Sequence, residues 1–126
     1  MIAYLDTNAL IWLAQGSLDG ISPKVDRMLK QADLLFSPMV LLELEYLYEV
    51  KRSKRTARDI QKKVEYEAGV RLCELPFPAI ANAALDEKWT RDPFDRMIVA
   101  NAKANGFAWL ISADGEIAQH YPRTVW

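Results

Sequence analysis

Residues 1–14 read MIAYLDTNALIWLA, and the change of rhythm inside that stretch decides the fold. Ile2 to Leu5 are a short apolar run of strand length, and from Thr7 onward Leu10, Ile11 and Leu13 recur at helical spacing. A strand that passes directly into a helix, with Asp6 at the junction, opens a strand-helix alternation. The same punctuation recurs downstream. Ser22-Pro23, Ser37-Pro38 and Asp92-Pro93 each place a capping side chain before a proline at the first helical position. They predict helices with apolar positions at Val25, Met28 and Leu29, at Leu41, Leu42, Leu44 and Leu47, and at Met97, Ile98, Ala100 and Ala102.

The intervening segments complete the alternation. Gly16 and Gly20 mark a loop, Thr56 caps a helix ending near Gly69, and Asn105-Gly106 stops the helix that Asp92 begins. Leu34–Phe36, Val70–Leu75 and Trp109–Ser112 read as strands, and Pro76-Phe77-Pro78 precedes an alanine-rich helix over Ala79–Lys88. Gly115–Gln119 is a short helix, and Thr124-Val125 is a small edge strand. Strands alternating with helices predict an α/β domain of three layers, α/β/α, around a mostly parallel sheet, because right-handed crossovers place helices on both faces.

Length and composition bound the function. A chain of 126 residues is one domain, 51% hydrophobic and 26% charged, with no apolar run long enough to span a membrane. No basic, apolar and small-residue leader pattern precedes the first strand, which places the protein in the cytoplasm as an expectation. Cys73 is the single cysteine, so neither an internal disulfide nor a multi-thiolate zinc site is available; it reads as a buried filler. The net charge of −1 announces no polyanionic partner, but Lys51–Lys63 (KRSKRTARDIQKK) carries seven cations against Asp59 alone. That density suits phosphate contact or a solvated helix surface.

Four acids fall where the topology directs them to one place. Ligands in parallel α/β sheets sit beyond the carboxyl ends of the strands. Asp6 follows strand one directly, Asp114 follows strand four, Glu43 lies on the second turn of the helix after strand two, and Asp95 opens the helix leading into strand four. Two carboxylates about 4 Å apart repel by roughly 4 kcal/mol at an effective dielectric near 20, so a converged set calls for a cation. Carboxylate oxygens without imidazole or thiolate suit Mg²⁺ or Mn²⁺, ions that also accept phosphate oxygens and activate water. The chemistry implied is hydrolysis of a phosphodiester.

DTNAL at the N-terminus, the helix carrying Glu43, DPFDRMIVANA, and LISADGEI followed by YPRTVW together resemble the PIN domain, and within it the VapC-type toxins of prokaryotic toxin–antitoxin pairs. The resemblance spans Asp6 to Trp126. It implies the strand order 3-2-1-4-5, and Asp6, Glu43, Asp95 and Asp114 as the acids that bind Mg²⁺ or Mn²⁺ and cleave RNA. It further implies a homodimer and a small VapB-like antitoxin covering the active site, with apolar surface around Leu41–Leu47 and the Lys51–Lys63 arm as places for it. Asn8 stands where a polar residue completes the first motif, although many relatives have His there. Ser112 stands where Thr is common.

Each acid also has a structural reading. Asp6 and Asp114 suit helix N-caps, Asp92 suits the cap before Pro93, and Asp95 suits its capping-box partner, which leaves open whether Asp92 shares the role of Asp95. Glu43 lies among leucines and would be costly to bury unpaired; Glu45 is expected on another, solvated face. His120, the sole histidine, reads as a surface residue, and Trp12, Trp89, Trp109 and Trp126 as core or interface anchors. A receiver-like Mg²⁺-binding signalling domain would need an Asp at the end of strand three and a later Lys. Here that strand ends Glu74-Leu75-Pro76, and no Lys follows Ser112. A PIN-fold binding module without catalysis is the other alternative.

Overall fold

A computed structural model describes all residues, 1–126. Five parallel strands form one sheet in the order β3-β2-β1-β4-β5. They are β1 (Ile2–Leu5), β2 (Asp33–Phe36), β3 (Arg71–Leu72), β4 (Trp109–Ile111) and β5 (Thr124–Val125). Register places Tyr4 beside Leu35 on one side and Leu110 on the other, so β1 is the central strand. It is also the most buried, with Ala3, Tyr4 and Leu5 fully enclosed, as expected of a parallel strand covered on both faces.

The helices are α1 (Thr7–Gln15), α2 (Pro23–Gln31), α3 (Pro38–Glu49), α4 (Ala57–Ala68), α5 (Phe77–Ala84), α6 (Pro93–Ala104) and α7 (Gly115–His120). The predicted caps form as local chemistry dictates: Ser22, Ser37, Thr56 and Asp92 each accept a backbone N–H from the first turn they precede. Gly16 and Gly69 close α1 and α4 in the left-handed conformation that glycine adopts without strain. Crossovers β1–β2 and β2–β3 run one way across the sheet and β3–β4 and β4–β5 the other, which assigns their helices to opposite faces. Packing agrees, α1 lying on α4 and α5 on α6, while α3 touches α1, α4 and α6 and so links the two helical layers. No helix is long and apolar enough to cross a membrane.

Two expected elements differ from their sequence pattern by more than one residue at an end, while β4 stops one residue short of Ser112. Strand β3 covers Arg71–Leu72 rather than Val70–Leu75; Cys73 N–H still donates to Phe36 O (2.9 Å), but Leu75 N–H turns to Cys73 Sγ (3.4 Å) as the chain approaches Pro76. An edge strand running into proline loses its ladder there. Helix α5 covers Phe77–Ala84 rather than Ala79–Lys88, because Arg96 on α6 donates to the carbonyls of Ala84 and Leu85 and stops it. Residue Cys73 is buried as expected and has polar company, its Sγ accepting from Tyr4 Oη (3.1 Å) and Asn101 Nδ2 (3.2 Å). His120 is exposed and stacked on Trp89, ring centroids 4.9 Å apart; Trp12 meets Trp126 edge to face at 5.3 Å.

Candidate active site

Asp6 leaves β1 with its N–H donating to Ile111 O of β4 (3.2 Å), which fixes the backbone at the carboxyl edge of the sheet. Its side chain does two things. Oδ1 accepts from Ala9 N–H (2.9 Å) as the N-cap of α1, and Oδ2 accepts from the hydroxyl of Ser112 just beyond β4. The carboxylate is 7% exposed. Burial pushes its pKa up to about 6 against the pull of those two hydrogen bonds, and the charges of Asp114 and Glu43 push in the same direction.

Glu43 projects from α3, the helix that links the layers. It is half-buried and held by one hydrogen bond, the hydroxyl of buried Thr7 donating to Oε1. Its pKa is raised, by burial first and then by Asp92, with the Thr7 bond opposing. Asp114 is the exposed N-cap of α7; its Oδ1 accepts from Glu116 N–H (2.8 Å) and Ile117 N–H (3.1 Å), and its own N–H donates to Ser112 Oγ (3.1 Å). Ser112 therefore ties the fourth acid's backbone to the first acid's side chain.

The Asp92–Asp95 pair separates cleanly. Asp92 is the exposed N-cap of α6, accepting from Phe94 and Asp95 N–H groups, and its own N–H donates to Thr90. Asp95 does not reciprocate, so no capping box forms. Its half-buried carboxylate makes no hydrogen bond, and its pKa is pushed up to about 7, by burial first and then by Asp92, Asp114, Glu43 and Asp6. That one residue feels all the other acids places the set at one edge.

No cation of the chain answers this charge. The ion pairs are Lys30–Asp26, Lys63–Glu67 and Lys103–Glu87, none at this edge. As placed, however, no three acidic, histidine or cysteine side chains stand close enough to hold an ion between them. The convergence expected from topology is thus of field and edge rather than of oxygens at a point. Three of the four carboxylates are turned to N–H or hydroxyl donors, Asp6 to Ala9 and Ser112, Glu43 to Thr7 and Asp114 to Glu116 and Ile117, and Asp95 to none. The donor set, carboxylate oxygens with hydroxyls behind them and no thiolate or imidazole, fits a hard divalent cation.

Two expectations about neighbours change. Asn8 is exposed and makes no hydrogen bond, whereas Thr7, not singled out by its sequence, is the buried residue engaging Glu43. The signal was its place at the first helical position beside Asp6. Glu45 is half-buried rather than solvated; its Oε1 accepts from Ala57 N–H (3.1 Å) and docks α4 on α3, a contact across a turn that helical periodicity does not reveal.

A sheet of this order with acids gathered at its carboxyl edge defines a class, and the comparisons agree with it. The PIN domain model matches residues 3–121, and the chain belongs to the PIN domain family. Among solved structures it is similar to VapBC2 from Rickettsia felis bound to a DNA fragment from their promoter (19% identity, 99% of this chain and 96% of that chain, TM-score 0.65). It is similarly related to VapBC-1 from nontypeable Haemophilus influenzae (22%, 100% and 96%, TM-score 0.64). A toxin–antitoxin complex from Klebsiella pneumoniae gives 19%, 98% and 96%, with TM-score 0.64. At these identities the likeness is one of fold. No curated protein sequence matches the chain.

Proposed function

We propose that this chain is a metal-dependent endoribonuclease acting as the toxin of a VapBC-type pair. One observation carries the reading: Asp6, Glu43, Asp95 and Asp114 share an edge where burial first, and neighbouring carboxylates including Asp92 second, raise three of them and no Lys or Arg pairs with any. Asp6, Asp95 and Asp114 would hold Mg²⁺ or Mn²⁺, and Glu43 would position the ion or the attacking water. A bound ion of this kind supplies an activated water and charge for the phosphate.

The chain's own residues do the rest. Ser112 orients Asp6, Thr7 orients Glu43, and Asp92 keeps the start of α6 in place so that Asp95 is presented without a competing bond. A VapB-like antitoxin partner is supported by the neighbours solved as toxin–antitoxin complexes. A homodimer is part of the same proposal. The exposed row Leu42, Tyr46 and Val50 on α3 and its end offers apolar surface for a protein partner.

The test is cleavage of single-stranded RNA by the purified chain with Mg²⁺, with Mn²⁺ and with EDTA, alongside Asp6→Asn. Cleavage that needs the ion and is lost in a folded Asp6→Asn variant is the expected result. Equal cleavage in EDTA, or full activity in the variant, sinks the reading.

A further inference from the structure

An acidic edge on a chain of net charge −1 repels the polyanion it would cut, so attraction for that polyanion must be supplied locally. Most cations outside one segment are committed elsewhere. Lys30, Lys63 and Lys103 are in ion pairs. Arg91 and Arg96 donate to backbone carbonyls, and Lys24 and Arg123 lie against the ring of Trp109. Of the rest, Arg27, Arg71 and Lys88 are scattered. Lys51, Arg52, Lys54, Arg55, Arg58 and Lys62 are all exposed on the arm formed by the α3–α4 turn and the first turns of α4, with Asp59 the one acid among them.

The arm is rooted on α3, the helix that carries Glu43, along the side that bears Leu41, Leu42 and Glu45. The Glu45–Ala57 hydrogen bond holds the start of α4 against α3 two residues past Glu43, and Arg58 shares a groove of about 360 Å³ with Leu41, Leu42 and Glu45. From the end of α3 back to Glu43 is about 10 Å at 1.5 Å per residue. Along α4, Arg58, Lys62 and Tyr66 follow at four-residue spacing, so they line one face. All three are exposed, Tyr66 by 91%. Cations in a row with a free aromatic ring are the combination that holds a single strand, phosphates on the charges and a base on the ring.

We infer that the α3–α4 arm is a track for single-stranded RNA, with Arg55, Arg58 and Lys62 on phosphates and Tyr66 against a base, leading the strand to the acid edge. The substrate class rests on the ribonuclease reading; the track is tested without catalysis. A labelled single-stranded RNA oligonucleotide is titrated with the full chain in EDTA across a salt series, its integrity checked on a gel. The arm variant Arg55→Gln/Arg58→Gln/Lys62→Gln is compared with Arg27→Gln/Arg71→Gln/Lys88→Gln, which removes the same charge elsewhere.

The arm variant is expected to bind about ten-fold or more weakly at 0.1 M salt, with the slope of log K against log salt shallower by about 2, while the control keeps its slope. Tyr66→Ala is expected to weaken binding several-fold without changing the slope. A folded arm variant that binds like the parent overturns the track, as does a control that loses as much. Loss of a protein partner by the arm variant with RNA binding intact also overturns it and assigns the arm to protein. Should the triple variant melt early, Arg55→Gln and Lys62→Gln singly carry the same test at about 0.7 of slope each. Binding through the arm with no cleavage in Mg²⁺ or Mn²⁺ refutes the ribonuclease reading and leaves the track standing; cleavage with unchanged binding in the arm variant refutes the track alone.

Discussion

Two buried carboxylates in this molecule are treated in opposite ways. Glu87, 3% exposed in the turn after α5, meets Lys103 of α6 at 2.8 Å, so its charge is answered within the fold. Asp6, 7% exposed, meets hydroxyl and backbone donors but no cation, and the half-buried Asp95 meets no donor at all. The chain neutralises one carboxylate and leaves the other set without a cation of its own, and it is at that second set that we propose a bound divalent ion. Capping gives Asp6 and Asp114 a structural role, but none is evident for the bare carboxylate of Asp95.

The comparison breaks most sharply if Asp95→Asn is harmless to activity. The expected outcome is loss of ion-dependent RNA cleavage by about a thousand-fold, equivalent to about 4 kcal/mol of barrier. Thermal melting at pH 8 should show the same variant to be more stable than the parent, because a carboxylate held at about 7 by burial and like charge is replaced by a neutral amide. Activity and stability moving in opposite directions is what a purely structural Asp95 could not produce.

Acid titration is the next largest effect. Asp6 and Asp95 have folded-state pKa values above the usual carboxylate range, so both states of the chain differ most between about pH 4 and pH 7. The folded state binds protons more readily there, and stability should fall as pH rises through that window. Equivalently, it should climb from pH 8 to pH 5, Asp6 contributing about 1 kcal/mol over that interval. Denaturant midpoints measured at the two pH values check this; a midpoint that drops at pH 5 contradicts it.

Glu87→Gln tests the other half of the comparison. Lys103 would lose its counter-charge while staying half-buried, and a stability loss of about 2 kcal/mol is expected from denaturant unfolding, with cleavage unchanged. Thr7→Val is the smallest change. It removes the hydroxyl that holds Glu43, and about a ten-fold loss of cleavage is expected, restored by Thr7→Ser and accompanied by a higher requirement for Mg²⁺. A loss that Thr7→Ser fails to restore would assign Thr7 to packing.

Local chemistry was legible in the residues. Ser22, Ser37, Thr56 and Asp92 announced their helices, and the strand-to-helix change at Asp6 announced the parallel sheet. These signals act over three or four residues and survive almost any context. Elements that depend on distant partners were less legible: the length of α5 is set by Arg96 from another helix, and the end of β3 by its position at the sheet edge.

The acids divide along the same line. Their order, and their placement at the carboxyl ends of strands, followed from the sequence because topology fixes which ends of parallel strands coincide. Which of Asp92 and Asp95 is free did not follow, since both suit the first turn of α6, and only the folded geometry shows Asp92 spent on the cap and Asp95 left bare. Nor did the engagement of Glu43 by Thr7, 36 residues away, or the docking of α4 by Glu45. Sequence patterns record which face of an element is apolar; desolvation, and the partners that answer a charge, exist only once distant segments have packed.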